Sequence, residues 1–191
     1  RLLTLLACFL GWNSQAAELV IAFSLDDPPH VMDGAKAGIE IEIVRAALKE
    51  TGYTFTTRQL PYGQLADAVV KGNVDAAATV ISRDDGTFYS DNYITFHNVA
   101  ITKKSSGIEL KAVAELKGRS ILAWENAWEA LGPEFQVLFS PKVKEPYRKK
   151  YMEIADQKEQ VEKFWSGKAE VIVIDESIMR WFSNELRHEV V

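Results

Sequence analysis

Two stretches decide how this chain folds: VVKGNVDAAATV at 69–80 and FWSGKAEVIVID at 164–175. In each, apolar residues close a helix, a glycine turns the chain, and a second apolar run opens a strand. An acidic residue follows each glycine by three positions, Asp75 after Gly72 and Glu170 after Gly167. A chain that builds one helix–turn–strand joint twice reads as two α/β lobes of similar plan.

The segments around each joint extend the pattern. ELVIAFS (18–24) is a short apolar strand closed by the turn cluster LDDPPHVMDG. GIEIEIVRAALKETG places Ile41, Val44 and Leu48 on one helical face, with Gly52 at its C-terminal end. YTFTTRQLPY alternates as a strand, GQLADAVVKG is a short helix, and VDAAATV is the next strand. This β-α-β-α-β order belongs to a parallel sheet with crossover helices. After the polar, aromatic loop ISRDDGTFYSDNY and the strand-like ITFHNVAITKK, the grammar restarts. RSILAWE, YMEIAD and AEVIVID are strands; NAWEALGPEFQVLF (broken near Gly132-Pro133), QKEQVEKFWSG and ESIMRWFSNEL are helices. Trp165 and Trp181 fall at helical positions and are expected to pack. The polar stretch TKKSS sets the boundary near 102–106, giving lobes at 17–103 and 104–191.

Composition narrows the class. A 191-residue chain with 47% hydrophobic and 26% charged residues supports a soluble globular core. A net charge of −5 gives no basic footprint, which excludes nucleic acid as the expected partner. RLLTLLACFLGW carries one Arg and an apolar run too short to span a membrane, followed by the small residues of Ser14-Gln15-Ala16. Residues 1–16 therefore read as an export signal cut after Ala16, the alternative being a buried helix of the mature fold. Cys8 ends LLAC, which partly resembles a lipoprotein box, but the apolar FLGW after it speaks against lipid anchoring. Cys8 is the sole cysteine, so disulfides, Cys-based zinc sites and a thiol nucleophile are excluded from the mature chain. The histidines His30, His97 and His188 stand far apart, so no His metal cluster and no cofactor is expected.

In open α/β sheets ligands bind beyond the carboxyl ends of the strands. That rule selects Asp26, Asp27, Pro28, Pro29 and His30 after the first strand, then Thr79 with Ser82, Arg83 and Asp84. It further selects Glu125, Asn126, Ala127 and Trp128 after SILAW, and Asp175 after VIVI. The inventory suits a small zwitterion. Arg83 can hold a carboxylate bidentately, amides at Asn126–Trp128 add donors, and Asp175 can pair with an ammonium. Tyr62 and Trp128 can stack on the ligand's body. Each residue also has a plainer role open to it. Arg83 is solvated and paired with neighbouring Asp residues, Asp175 N-caps the last helix, and the two aromatics are core.

From Glu18 onward the chain resembles the bacterial extracellular solute-binding proteins of family 3, the periplasmic amino-acid-binding type. DDPPHVMDGAKAGIEIEIVRAAL is similar to the family's opening turn and helix, and LPYGQLADAVVKGNVDAA to its aromatic-x-x-Leu…Gly-x-Val-Asp segment. FYSDNY, AELKG and SGKAEVIVIDES resemble three further family segments in the expected order. The resemblance implies a two-lobed periplasmic binding protein type 2 architecture, of which this chain lacks the C-terminal return to the first lobe. It implies that Arg83 takes the ligand carboxylate with help from Thr79, that Asp175 takes the amino group, and that Tyr62 stacks. Asn126 and Ala127 stand where the family has a Gly-Thr/Ser pair, and His30 where an aromatic is typical. The expected function is capture of a small polar ligand, an amino acid or a small organic acid, in the cleft, by a periplasmic monomer serving a membrane permease of the ABC type. The alternatives are the ligand-sensing module of a signalling system, in which the partner is a sensor, or a dehydratase-type enzyme on the same fold. For the enzyme, no Gly-x-Ser-x-Gly, His-Glu-x-x-His, Walker or Gly-x-Gly-x-x-Gly motif is present. The hinge is expected near 101–105.

Overall fold

A computed structural model describes residues 17–190. The export signal expected over 1–16, with Cys8, lies outside the described residues.

Two sheets repeat one topology. In the first lobe, β1 (Glu18–Phe23) is the central strand, with β2 (Thr54–Gln59) on one side and β3 (Ala76–Ala77) on the other, all parallel. Helices α1 (Ile39–Lys49) and α2 (Leu65–Val70) connect them. In the second lobe, β5 (Ile121–Trp124) is flanked in parallel by β6 (Tyr151–Ile154) and β7 (Val171–Asp175). Its connections are α3 (Ala127–Ala130), α4 (Gly132–Phe139) and α5 (Gln157–Trp165), and α6 (Glu176–Glu185) follows β7.

The alternation of side chains along a strand divides each core between two faces. Ile21 and Phe23 pack with Ile41, Val44 and Leu48 of α1, whereas Ala22 packs on the opposite face with Leu65 and Ala68 of α2. In the second lobe Ile121, Ala123, Val171 and Val173 meet Phe135 and Phe139 of α4. Leu122, Ile172 and Ile174 meet Val161 and Phe164 of α5 and Ile178, Met179 and Phe182 of α6. A strand buried on both faces needs the continuous apolar run that VIVI supplies.

The two joints do the same work. Gly72 (φ 67°) and Gly167 (φ 82°) take left-handed conformations that let the chain leave its helix. Asp75 then accepts a hydrogen bond from Val20 N–H at 2.7 Å, and Glu170 accepts from Ser120 N–H at 2.8 Å. Each acid thus ties the incoming strand to the central strand, β1 or β5. Ser120 Oγ also donates to Glu170, and these bonds hold the Glu170 carboxyl below its usual range.

Three expectations change. The strand expected to close the first lobe, β4 (Asn98–Thr102), pairs antiparallel with β7, Asn98 opposite Asp175. The chain therefore crosses between lobes before residue 98 rather than at 103–104, since β4 takes its strand hydrogen bonds from β7. The strand expected from VDAAATV shrinks to two residues. Trp165 packs, its Nε1–H donating to Ser183 Oγ at 3.1 Å, but Trp181 is 41% exposed because the buried arc of α6 is filled by Ile178, Met179 and Phe182.

Candidate ligand-binding site

The carboxyl ends of both sheets open onto one cavity of about 710 Å³. From the first lobe it is lined by Ser24, Asp26 and Asp27 after β1, by Tyr62, and by Thr79 after β3. From the second come Trp124 at the end of β5, and Asp175 with Ile178 at the β7–α6 junction. The irregular segment 82–97 closes one side with Phe88, Tyr89, Tyr93 and Phe96.

Asp175 is 5% exposed and N-caps α6, accepting from Ser177 N–H at 2.9 Å and Ile178 N–H at 3.3 Å. It also accepts from His97 N–H at 2.7 Å and from Ser177 Oγ–H, and lies 3.7 Å from His30 Nε2. Burial pushes its pKa up, but the nearby His30 ring and the bonds from Ser177 and the His97 amide outweigh it and hold the carboxyl at about 2. Capping and cavity lining therefore coexist in one residue.

His30 does not line the cavity. It bridges the lobes, Nε2 to Ser177 Oγ at 3.0 Å, with its ring 4.6 Å from that of Phe96. Ser177 and Asp175 both stand on the Nε2 side, and Nδ1 is buried without a partner among the described residues. A serine relay needs the carboxylate on the nitrogen opposite the hydroxyl, so this trio makes a lobe contact and not a relay. Replacing His30 with alanine is expected to destabilise the protein by about 1–2 kcal/mol through the lost bond and ring contact. Urea unfolding checks it, and an unchanged midpoint would remove His30 from the lobe contact.

A buried acidic pair sits beneath the cavity. Glu40, fully buried in the first turn of α1, accepts from Thr79 Oγ1–H and, at 2.8 Å, from Tyr93 O–H. Thr79 N–H donates to Tyr93 Oη at 3.2 Å. Thr79 has φ 57°, a conformation a β-branched residue adopts only under constraint, and these bonds supply it. Burial, and then the Glu40 carboxylate, push the neighbouring Asp27 carboxyl well above its usual range. The same two causes hold the Tyr93 phenol protonated.

The remaining candidates scatter. Arg83 lies outside the main cavity, 3.3 Å from Asp67 and 3.5 Å from Asp85. It shares a recess of about 50 Å³ with Tyr62, Asn126 and Glu129. Asn126 (φ 59°) starts α3 and faces Gly63, where a Cβ would come within 2.6 Å of Asn126 Nδ2. Glu125 accepts from Gly63 N–H at 3.3 Å, a second lobe contact. Ala127 is fully buried and Trp128 is packed against the same core, so neither reaches the cavity. Asp26 lines the cavity while accepting from Gln59 Nε2–H at 2.7 Å and Gly34 N–H at 3.1 Å.

Ser24, Glu40, Tyr93 and Phe96 were not singled out from sequence. Glu40 carried a signal: it falls on the Val44–Leu48 stripe at four-residue spacing, where an acid is out of place. The aromatic density of 88–96 was the signal for the loop.

A profile for bacterial extracellular solute-binding proteins, family 3, matches residues 19–188. The chain belongs to this family. Family 3 is one of binding proteins, and its extracellular character fits an exported chain. The arginine-binding extracellular protein ArtP of Bacillus subtilis (strain 168) is 26% identical over 136 residues, 65% of this chain and 52% of ArtP. The chain thus matches about half the length of that curated relative. A histidine kinase sensor domain with similarity to periplasmic binding proteins superposes with a TM-score of 0.73 at 16% identity, covering 91% of this chain and 74% of that one. The substrate-binding protein of an amino acid ABC transporter gives 0.67 at 21% identity, covering 90% and 75%. The family's two-lobed periplasmic binding protein fold is therefore the fold of this chain.

Proposed function

We propose that this chain is an exported, periplasmic solute-binding protein that captures a small polar solute, an amino acid or a related amine, for an ABC permease. The observation that carries this reading is the cavity lined from both lobes, with Asp175 and Tyr62 among its residues. Closure of two α/β lobes on a ligand would shift an open–closed equilibrium that a membrane partner reads. ArtP's name, arginine-binding, and the neighbour from an amino acid transporter support the solute class. A binding rather than catalytic role agrees with the His30 geometry, in which no group among the described residues orients the imidazole through Nδ1 as a base. The second reading, a sensing module, is favoured by the 0.73 TM-score to a kinase sensor domain.

The test is a thermal-shift screen with amino acids, amines and small organic acids. A solute at about 100 times its dissociation constant stabilises by about 2.7 kcal/mol, a readily measured shift. Saturable binding without turnover supports the proposal; turnover of a bound compound sinks it in favour of an enzyme.

A further inference from the structure

We propose that the cavity selects an organic cation, an alkylammonium or guanidinium compound on an apolar body, and provides no anchor for a ligand carboxylate. This rests on the solute-binding reading and narrows it.

Charge is the first observation. Five acidic side chains line the cavity, Asp26, Asp27, Asp75, Asp91 and Asp175, and among the described residues no lysine, arginine or histidine does. A zwitterion entering here brings its carboxylate among like charges with no cation to receive it. The two groups that the family resemblance offers for that purpose are engaged elsewhere. Arg83 is turned to Asp67 and Asp85, outside the cavity, and Thr79 spends its amide on Tyr93 and its hydroxyl on Glu40.

A second, independent observation points to a ligand. Ser24 is 8% exposed and lines the cavity, yet its hydroxyl meets no hydrogen-bond partner within bonding geometry among the described residues. Its place beside Asp27 lowers the pKa of that group, against the larger upward push of burial and Glu40. An N–H donor placed between the Ser24 hydroxyl and the Asp27 carboxylate would satisfy the first and neutralise the second. Aromatic faces complete the site. Tyr62, Trp124, Tyr89 and Phe96 line the cavity, and Phe88 is fully exposed at its wall, a position an aromatic side chain keeps at the expense of hydration. Aromatic walls with carboxylates are the combination that binds organic cations.

The experiment is isothermal titration of the chain with agmatine, L-arginine and L-glutamine. Agmatine has the guanidinium and chain of arginine without its carboxylate. It is expected to bind at least about tenfold tighter than L-arginine, and L-glutamine more weakly than either. Asp27→Asn should weaken agmatine by about tenfold or more, with thermal melting run beside it to show that the variant is folded. Phe88→Ala, at an exposed position that folding does not need, should weaken agmatine by about threefold or more. If L-arginine binds as tightly as agmatine or tighter, or only L-glutamine binds, the cation inference falls and the solute-binding reading stands. If none of the three binds and the wider thermal-shift screen also yields no ligand, both fall together.

Discussion

Asp175→Ala is expected to destabilise the protein by about 3 kcal/mol at neutral pH, the largest effect of any single polar side chain at the site. Four donors converge on this carboxylate: the amides of His97, Ser177 and Ile178 and the Ser177 hydroxyl. Alanine leaves two amides of α6 uncapped and strands the His97 amide at the start of β4. It also removes the acidic partner of His30 across the lobe contact. The effect has a defined pH dependence. The folded carboxyl titrates at about 2, below the ordinary aspartate value of about 3.9, so its contribution is complete above the unfolded value. It fades as pH falls from about 4 towards 2 and is gone below that. Urea unfolding of both proteins at pH 7 and at low pH measures this. A gap under about 1 kcal/mol at pH 7 would contradict the capping geometry, and a gap that fails to narrow in acid would contradict the depressed pKa. Asp175→Asn, which keeps an acceptor for the cap, should recover part of the loss.

Gly38→Ala should be at least as damaging, by about 3–5 kcal/mol. Gly38 has φ 117°, and an added Cβ would lie 2.2 Å from the carbonyl oxygen of His30 and 2.7 Å from its carbonyl carbon. Both are backbone atoms, so no rotamer change relieves the clash. The turn that must give way is the one that holds the site. Glu40 N–H donates to His30 O at 3.1 Å, Asp27 accepts from the Val31 amide, and Ile39 N–H donates to Pro29 O at 3.0 Å. Loss of stability should therefore come with loss of whatever solute the cavity takes. A variant that melts like the parent would show that the loop between β1 and α1 is softer than its hydrogen bonds imply. Thermal melting and ligand titration of the same preparation separate the two effects.

Much of the candidate site lay at positions that general rules select. The ends of parallel strands pointed to Asp26, Asp27, Thr79 and Asp175, and all four line the cavity. The rule locates a backbone position, and the direction of a long side chain is a different matter. Arg83 has nearby acids on both sides in space, Asp67 and Asp85, and their attraction draws the guanidinium away from the cleft. Trp128 follows an αL residue, Asn126, and that local turn of the backbone leaves the indole against the β5 core. Glu40 was hidden differently. An acid at the start of a helix is ordinarily an exposed partner of the helix dipole, and only the arrival of Thr79 and Tyr93 from much later in the chain makes it a buried acceptor.

What the amino-acid sequence determined by itself is the repeated plan. Strand alternation, the glycine that ends a helix and the acid three residues beyond it are local signals. Each acts over one or two turns of chain, so each can be read without knowing what lies across the fold. The family segments in their order belong to the same level, since they record the succession of elements. Tertiary structure alone decided three things: that β4 joins the second sheet, that the cleft is walled by acidic groups and aromatic rings with no cation among the described residues, and that His30 links the lobes. The reason is the same in each case. The pairing of Asn98 with Asp175, the contact of His30 with Ser177 and the approach of Asp67 to Arg83 depend on groups brought close by packing. Hydrogen-bond and ion-pair energies depend on distance in space, and for these pairs sequence separation carries no information about it.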